Sequence, residues 1–532
     1  MTYLEELSLY FLEQYGIPRE VLEAIVFEHG GDSTLLEIQT EGIRMGLCDP
    51  KKLLNSGGII SGPTGSGKTL LAELRMLTRY FDKGQRGESG TVVLHEKRKT
   101  IFLVPMKAIG LEKLRYFTRL YDRFGIKVLY SEGEVRYDDG NILRGKFDVA
   151  IMVNEKLKYF EQYNPEFFKN IGEVVVDELG IISEKTRGPQ LEIIITGLLL
   201  SSYKPVVLAL TTPIEIPEQL LKLMNGFLLK TKKRPIDIRT GVWMTQNTEF
   251  QSWSCNTMEP YPTEKWDLRY PDDNDRTLKE LMLHYKKGIM FAVPSKTLAV
   301  SYANHLLQLV DRDQDVKQVI LGPTHSGQSI ENRLKGLEAT KNKVKLNELM
   351  KNSIGFHHAD LTVEERREVE DAFRNREISV LFCTSTLARG INLPADAIVF
   401  LGWRNPVNCG EQNYHSQSQF SNEFNNWMGR IGRPGNETSA QPLAIYLAQT
   451  SSETNYIKKL IFAKSVRTYP HLADADVELT GHLLSACSCI SNSCFIKAKS
   501  MQQGNMAYLF NLQDIREFFS HTPSAADEDL KR

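Results

Sequence analysis

The chain has 532 residues, 41% of them hydrophobic and 25% charged, with a formal net charge of −1. That length exceeds what a single core accommodates. The near balance of charge excludes a global positive field that would draw the protein onto nucleic acid or an anionic surface. Small basic runs (Lys97 to Lys99, Lys230 to Arg234, Lys341 to Lys345) read as solvated loops. The opening Met1-Thr2-Tyr3-Leu4-Glu5-Glu6 lacks the basic and apolar blocks of a signal peptide. The apolar stretch Ile193 to Leu200 is too short to span a bilayer. Seven scattered cysteines suit a reducing compartment, cytoplasm or nucleus.

Taken in chain order, residues Tyr3 to Phe27 read as two amphipathic helices broken at Gly16-Ile17-Pro18. Short apolar runs then alternate with helical patterns: Gly58–Ser61, Thr100–Val104, Lys127–Tyr130, Val149–Val153, Glu173–Val176 and Val206–Leu210. Strands buried on both faces and separated by helices build a parallel sheet. The rhythm lapses from Trp243 to Asp275. It resumes with Gly288–Val293, Val316–Ile320, Ile354–His357, Ile378–Cys383, Ala397–Leu401 and Gln441–Tyr446. The expectation is an α/β protein with two tandem parallel-sheet domains. A helical segment, 1–34, precedes domains at 35–229 and 230–448, and a short helical extension with a polar tail occupies 449–532. In that tail Cys487, Cys489 and Cys494, with His482 nearby, match no standard zinc spacing and read as unpaired thiols.

Three stretches carry chemistry. Gly62-Pro63-Thr64-Gly65-Ser66-Gly67-Lys68-Thr69 lies between a strand and a helix and has the spacing of a phosphate-binding loop. Its glycines let backbone N–H groups curl around an anion at a helix N-terminus. Lys68 then reaches the β- and γ-phosphates, and the Thr69 hydroxyl joins a Mg2+ shell. The run Glu173-Val174-Val175-Val176 ends in Asp177 and Glu178, a carboxylate to hold Mg2+ and a second to orient the attacking water. Finally, Arg430 and Arg433 in Asn426-Trp427-Met428-Gly429-Arg430-Ile431-Gly432-Arg433 share one helical turn and suit an arginine finger. The spacing by itself equally allows exposed arginines at a helix end.

These stretches, in this order, resemble motifs I, II and VI of superfamily 2 helicases. Ile354-Gly355-Phe356-His357-His358-Ala359-Asp360-Leu361, followed by Glu365-Arg366, is similar to a signature of the Ski-like branch. So is Thr384-Ser385-Thr386-Leu387-Ala388-Arg389-Gly390-Ile391-Asn392-Leu393-Pro394-Ala395. Pro105-Met106-Lys107-Ala108 with Glu112-Lys113 resembles motif Ia, and Asn154-Glu155-Lys156-Leu157 motif Ib. Arg187-Gly188 with Leu191-Glu192, and Arg234-Pro235-Ile236, match as well. The motifs look nearest to the DNA-repair members.

The resemblance implies two RecA-like domains with ATP between the first domain's motifs and the fingers Arg430 and Arg433 of the second. It places Gln39 as the adenine-reading amide and Gly390 at the nucleotide. Lys107, Asn154, Lys156, His358, Thr384 and Thr386 fall at strand-contacting positions that read no sequence. Single-stranded or partly duplex nucleic acid, DNA before RNA, is the implied partner, with protein partners through the C-terminal segment.

The departures are Gly180 where the branch carries histidine, Leu210-Thr211-Thr212 where Ser-Ala-Thr is usual, Asn426 for glutamine and Asp360 for glycine. They keep the phosphate, Mg2+ and finger groups but put the coupling of hydrolysis to movement in question. A helicase-fold scaffold that no longer cycles is the competing reading. Within Leu401 to Phe424, Asn408 to Gly410 and Tyr414 suit either a strand-splitting hairpin or a plain crossover.

Overall fold

The computed structural model describes residues 7–462, leaving out 82–84, 87–91, 94–98, 134–137, 164, 185–186, 202, 215, 217, 225, 285–287, 322–329, 331–332, 389–392, 394, 403–422 and 433–440. The described residues form two compact α/β units that divide between Lys232 and Lys233. Each is built on a mostly parallel sheet of the RecA-like kind.

The first unit opens with a 3₁₀ turn (Leu9–Tyr15), then α1 (Arg19–Glu28) and α2 (Glu37–Met45). The break is where Gly16 and Pro18 predict it: Gly16 sits at φ 93° and Pro18 caps α1. Leu12, Val21, Leu22 and Ile25 are buried in the same apolar cluster as Ile60, Phe102 and Leu208 of the sheet. The segment 1–34, set apart in the sequence reading, is in its described part a layer of the first unit's core.

There follow β1 (Gly58–Ser61), α3 (Lys68–Phe81), a ribbon of β2 (Gln85–Arg86) and β3 (Val92–Val93), β4 (Lys99–Val104), α4 (Lys107–Tyr121) and β5 (Val128–Ser131). The unit continues through α5 (Asp139–Leu143), β6 (Val149–Val153), α6 (Asn154–Tyr163), β7 (Ile171–Val176), α7 (Gly188–Leu200), β8 (Val206–Thr211), α8 (Glu218–Met224) and β9 (Phe227–Lys230). The sheet runs β5-β6-β4-β7-β8-β1-β9, every pairing parallel. Alternate residues enter opposite cores: Ile60, Phe102 and Val175 pack beneath α1 to α4, and Ile59, Ile101 and Val174 beneath α6 and α7. β1 is flanked by the unit's last two strands, β8 and β9. The strand β9 is absent from the sequence reading; its last residue, Lys230, is the first of the basic run that masks the pattern.

The second unit contains β10 (Arg239–Met244), β11 (Glu249–Ser254), β12 (Glu264–Lys265), α9 (Asn274–His284), β13 (Ile289–Ala292), α10 (Lys296–Arg312) and α11 (Gln314–Leu321). It continues with α12 (Lys341–Lys351), β14 (Ile354–His357), α13 (Val363–Arg374), β15 (Val380–Cys383), α14 (Ser385–Ala388), β16 (Ala397–Phe400), β17 (Leu443–Ala448) and α15 (Ser451–Phe462). Its sheet runs β12-β11-β10-β17-β16-β13-β15-β14.

Two expectations need correction here. Val316–Ile320, read as a strand, is helical: Val316, Val319 and Ile320 fall on one face at helical spacing, and the Asp313 carboxylate accepts from the N–H groups of Asp315 and Val316. The lapse after Trp243 is an antiparallel extension, β10-β11-β12, in which every second residue of β11 is buried but only Phe250 among those is apolar. Among the described residues no helix is long and apolar enough to cross a membrane.

Candidate nucleotide and strand-binding site

Because the first unit's strands are parallel, the loops after β1, β4, β6 and β7 leave from one end of the sheet. The loop after β1 is Gly62–Gly67, and α3 begins at Lys68. Gly65 and Gly67 have φ of +84° and +93°, where side chains are strained, and a Cβ on Gly67 would lie 2.2 Å from Gln39 Nε2. The Ser66 hydroxyl is buried without a hydrogen-bond partner. Lys68 Nζ donates to the carbonyls of Gly62 (2.6 Å) and Pro63 (2.9 Å), folded over the loop. Thr64 is half-buried and Thr69 exposed on the first turn of α3. An orphaned hydroxyl, inward-curled glycines and a lysine resting on its own loop's carbonyls fit a phosphate chain.

Gln39 is buried against this loop. Its Oε1 accepts from the Leu36 N–H (2.9 Å), and its Nε2 donates to Gly67 O (3.1 Å). One acceptor lone pair and one N–H of the amide remain for a ligand edge. Two steps from β1 in the sheet, fully buried β7 delivers Asp177 and Glu178. The Asp177 N–H donates to Leu103 O of β4 (2.9 Å), fixing the strand's exit. Glu178 adopts φ 57° and ψ 54°, a left-handed conformation that turns the chain into the 3₁₀ turn Leu179–Ser183.

The structure also shows contacts that the motif reading did not single out. Lys113 Nζ of α4 lies 3.3 Å from Asp177 Oδ2, both side chains largely covered. Buried Arg75 of α3 donates from Nε to Glu173 Oε1 of β7 (2.9 Å) and from its guanidinium to the carbonyls of Leu53 and Leu54. Glu73 accepts from the hydroxyls of Tyr116 (3.1 Å) and Tyr121, and burial raises its carboxyl to about 8. The available signal was charge at core spacing: Lys113, Tyr116, Phe117 and Tyr121 share one face of α4.

Of the strand-contacting candidates in this unit, Lys107 is exposed at the start of α4, and Asn154 is buried at the start of α6. Lys156 is drawn inward, ion-paired with Asp139 at 2.5 Å. Arg187 Nη1 donates to Pro105 O (3.1 Å), tying the start of α7 to the loop that carries Lys107.

In the second unit β14 and β15 are adjacent and parallel, so His358 and Thr384 leave neighbouring strand ends. The Thr384 N–H donates to His357 O (3.1 Å). His358 stacks on Phe356 (ring centroids 5.3 Å apart), and burial pushes its imidazole below the ordinary histidine range, which favours the neutral ring. Arg430 is buried, and its carbonyl accepts from the Ala395 N–H (3.2 Å). Arg234 anchors the preceding turn by donating to Met428 O (3.0 Å). Arg433, Gly390, the Thr386 side chain, Asn408 to Tyr414 and the tail cysteines lie outside the described residues.

Residues 37–220 match the family model described as DEAD/DEAH box helicase, and residues 301–435 match Helicase conserved C-terminal domain. The chain is 26% identical over 505 residues to the ATP-dependent DNA helicase Hel308 of Methanococcus vannielii, covering 90% of this chain and 61% of that relative. It is 28% identical to the Hel308 of Caldivirga maquilingensis over 84% of this chain and 54% of the relative. With the Hel308 of Methanocella arvoryzae, identity is 29% over 74% of this chain and 49% of the relative. The chain thus spans about half to three-fifths of the relatives it matches. Helicase models matched in both units, together with a phosphate loop, a carboxylate pair and paired histidines at strand ends, make this chain a member of the superfamily 2 helicases, similar to the ATP-dependent DNA helicase Hel308.

Proposed function

We propose that the chain is an ATP-dependent DNA helicase or translocase in which hydrolysis drives movement along a strand. The carrying observation is the shared end of the first sheet, where the phosphate loop, Asp177 and Glu178 leave together with the starts of α4 and α6. The backbone N–H groups of Thr64, Gly65, Ser66 and Gly67 hold the phosphates, and Lys68 exchanges its carbonyl partners for phosphate oxygens. Thr69 and Asp177 hold Mg2+, which when bound neutralises charge on the β- and γ-phosphates. Glu178 orients the attacking water. Gln39 reads adenine with its remaining lone pair and N–H. Of the pair Arg430 and Arg433, one stabilises charge on the transferred phosphoryl group and the other braces it, with Gly390 beside the nucleotide. The burial of Arg430 favours a bracing role for it and the finger role for Arg433.

Lys107, Asn154, Lys156, His358, Thr384 and Thr386 contact the strand backbone, Lys156 by giving up Asp139. DNA is preferred to RNA because the relatives are DNA helicases. The free thiols Cys48, Cys255 and Cys383 support a reducing intracellular setting, and the C-terminal segment is the proposed site for protein partners.

The test is ATPase turnover with matched single-stranded DNA and RNA of one sequence, on the wild type and Lys68→Ala. Stimulation by DNA that vanishes in the variant, with the fold preserved by circular dichroism, is the expected result. Turnover retained without Lys68, or indifference to every strand, overturns the motor.

A further inference from the structure

We propose that Lys113 is a positioning residue that holds Asp177 in the metal-free state and yields it to Mg2+. The proposal rests on the nucleotide-binding reading above and deepens it. Lys113 lies on the face of α4 that also carries Tyr116, Phe117 and Tyr121. Phe117 packs edge-on against Phe102 of β4 with ring centroids 5.2 Å apart. Lys113 Nζ sits 5.6 Å from the centroid of that same Phe102 ring. Farther along the face, Tyr116 and Tyr121 both donate to Glu73 of α3, little more than a turn beyond Lys68. One helix face therefore grips the phosphate-loop helix through Glu73 and the Mg2+-binding carboxylate through Lys113.

The choice of partner is what makes Lys113 more than a brace. Its ammonium is 3.3 Å from Asp177 Oδ2, and the side chains are only 12% and 16% exposed, so water screens the pair weakly. Mg2+ needs that carboxylate, directly or through a bound water, and a lysine cation already in place competes for it. Before metal arrives, Lys113 holds the carboxylate in place. When metal arrives, its charge opposes binding. Exposed Lys107 begins the same helix, so a strand engaged there would act on Asp177 through one rigid element.

The experiment titrates MgCl2 against binding of a fluorescent ATP analogue to the full chain, for wild type, Lys113→Gln and Lys113→Arg. Glutamine removes the competing charge, so half-saturating Mg2+ should fall at least about threefold. Arginine grips a carboxylate through two N–H groups, so half-saturating Mg2+ should rise. Opposite shifts are the signature, since a purely structural role moves both variants alike, and the arginine arm stands alone if the glutamine variant fails to fold. Unchanged midpoints, or weaker Mg2+ binding in both variants, overturn the assignment while leaving the ATP site intact. A wild type that binds no nucleotide at all overturns the ATP reading and this proposal with it.

Discussion

At Glu73 burial outweighs every favourable contact. The Tyr116 hydroxyl and the Lys113 charge both act to lower its pKa, yet desolvation carries it from 4.5 to about 8. The folded protein therefore keeps a proton that the unfolded chain releases. The resulting stability is fully present below about 4.5 and is lost as pH rises towards about 8. In Glu73→Gln this dependence should disappear. Between pH 5 and 9 the wild type should lose on the order of a few kcal/mol more than the variant, read as the difference in Tm shifts. Gly180 presents the reverse situation, a glycine its surroundings do not require. A Cβ there meets nothing nearer than 3.9 Å, from Ile214 Cγ2 and Thr211 Oγ1, and that threonine hydroxyl is buried without a partner. Gly180→His should therefore fold at least as stably, by up to about 1 kcal/mol from the stiffer unfolded chain, and should increase DNA stimulation of ATPase. A lower Tm would show that the space is needed. The phosphate loop was legible because its glycines and lysine are close in sequence. The contact of Lys113 with Asp177 was not, because Asp177 sits on a distant strand and only folding joins them.

Between elements, a fully buried ion pair in the first unit joins α3 to β7. Arg75 and Glu173 are both fully buried, and Arg79 lies 3.9 Å from the same carboxylate. Removing the anion alone leaves two guanidinium groups without it, so Glu173→Ala should cost about 3–5 kcal/mol in urea unfolding. A loss under about 1 kcal/mol would mean that the carbonyls of Leu53 and Leu54 suffice to hold Arg75. Strands such as Val149–Val153 were legible because both faces are apolar. The Val316–Ile320 helix was misread because five apolar-rich residues fit either period, and the deciding signal was the Asp313 cap before them. The β10–β11 hairpin escaped notice because two of the three buried positions of β11 are Ser252 and Ser254, so it shows neither an apolar run nor an apolar period of two.

For the whole molecule, the motor reading asks two units to serve one reaction. Arg433→Ala should leave ATP affinity near wild type and slow turnover about a hundredfold or more, measured under single-turnover conditions. Equal losses in affinity and rate would give Arg433 a structural role instead. The order of strands in each sheet bears on how such a chain is made. β1 lies between β8 and β9, and β10 lies beside β17, so in both units an opening strand waits for a closing one. During translation β10 must leave the ribosome with an open edge until Leu443–Ala448 emerges to cover it. A nascent chain released before that point should be chaperone-bound or insoluble, whereas one released just after α15 should yield a protease-resistant second unit.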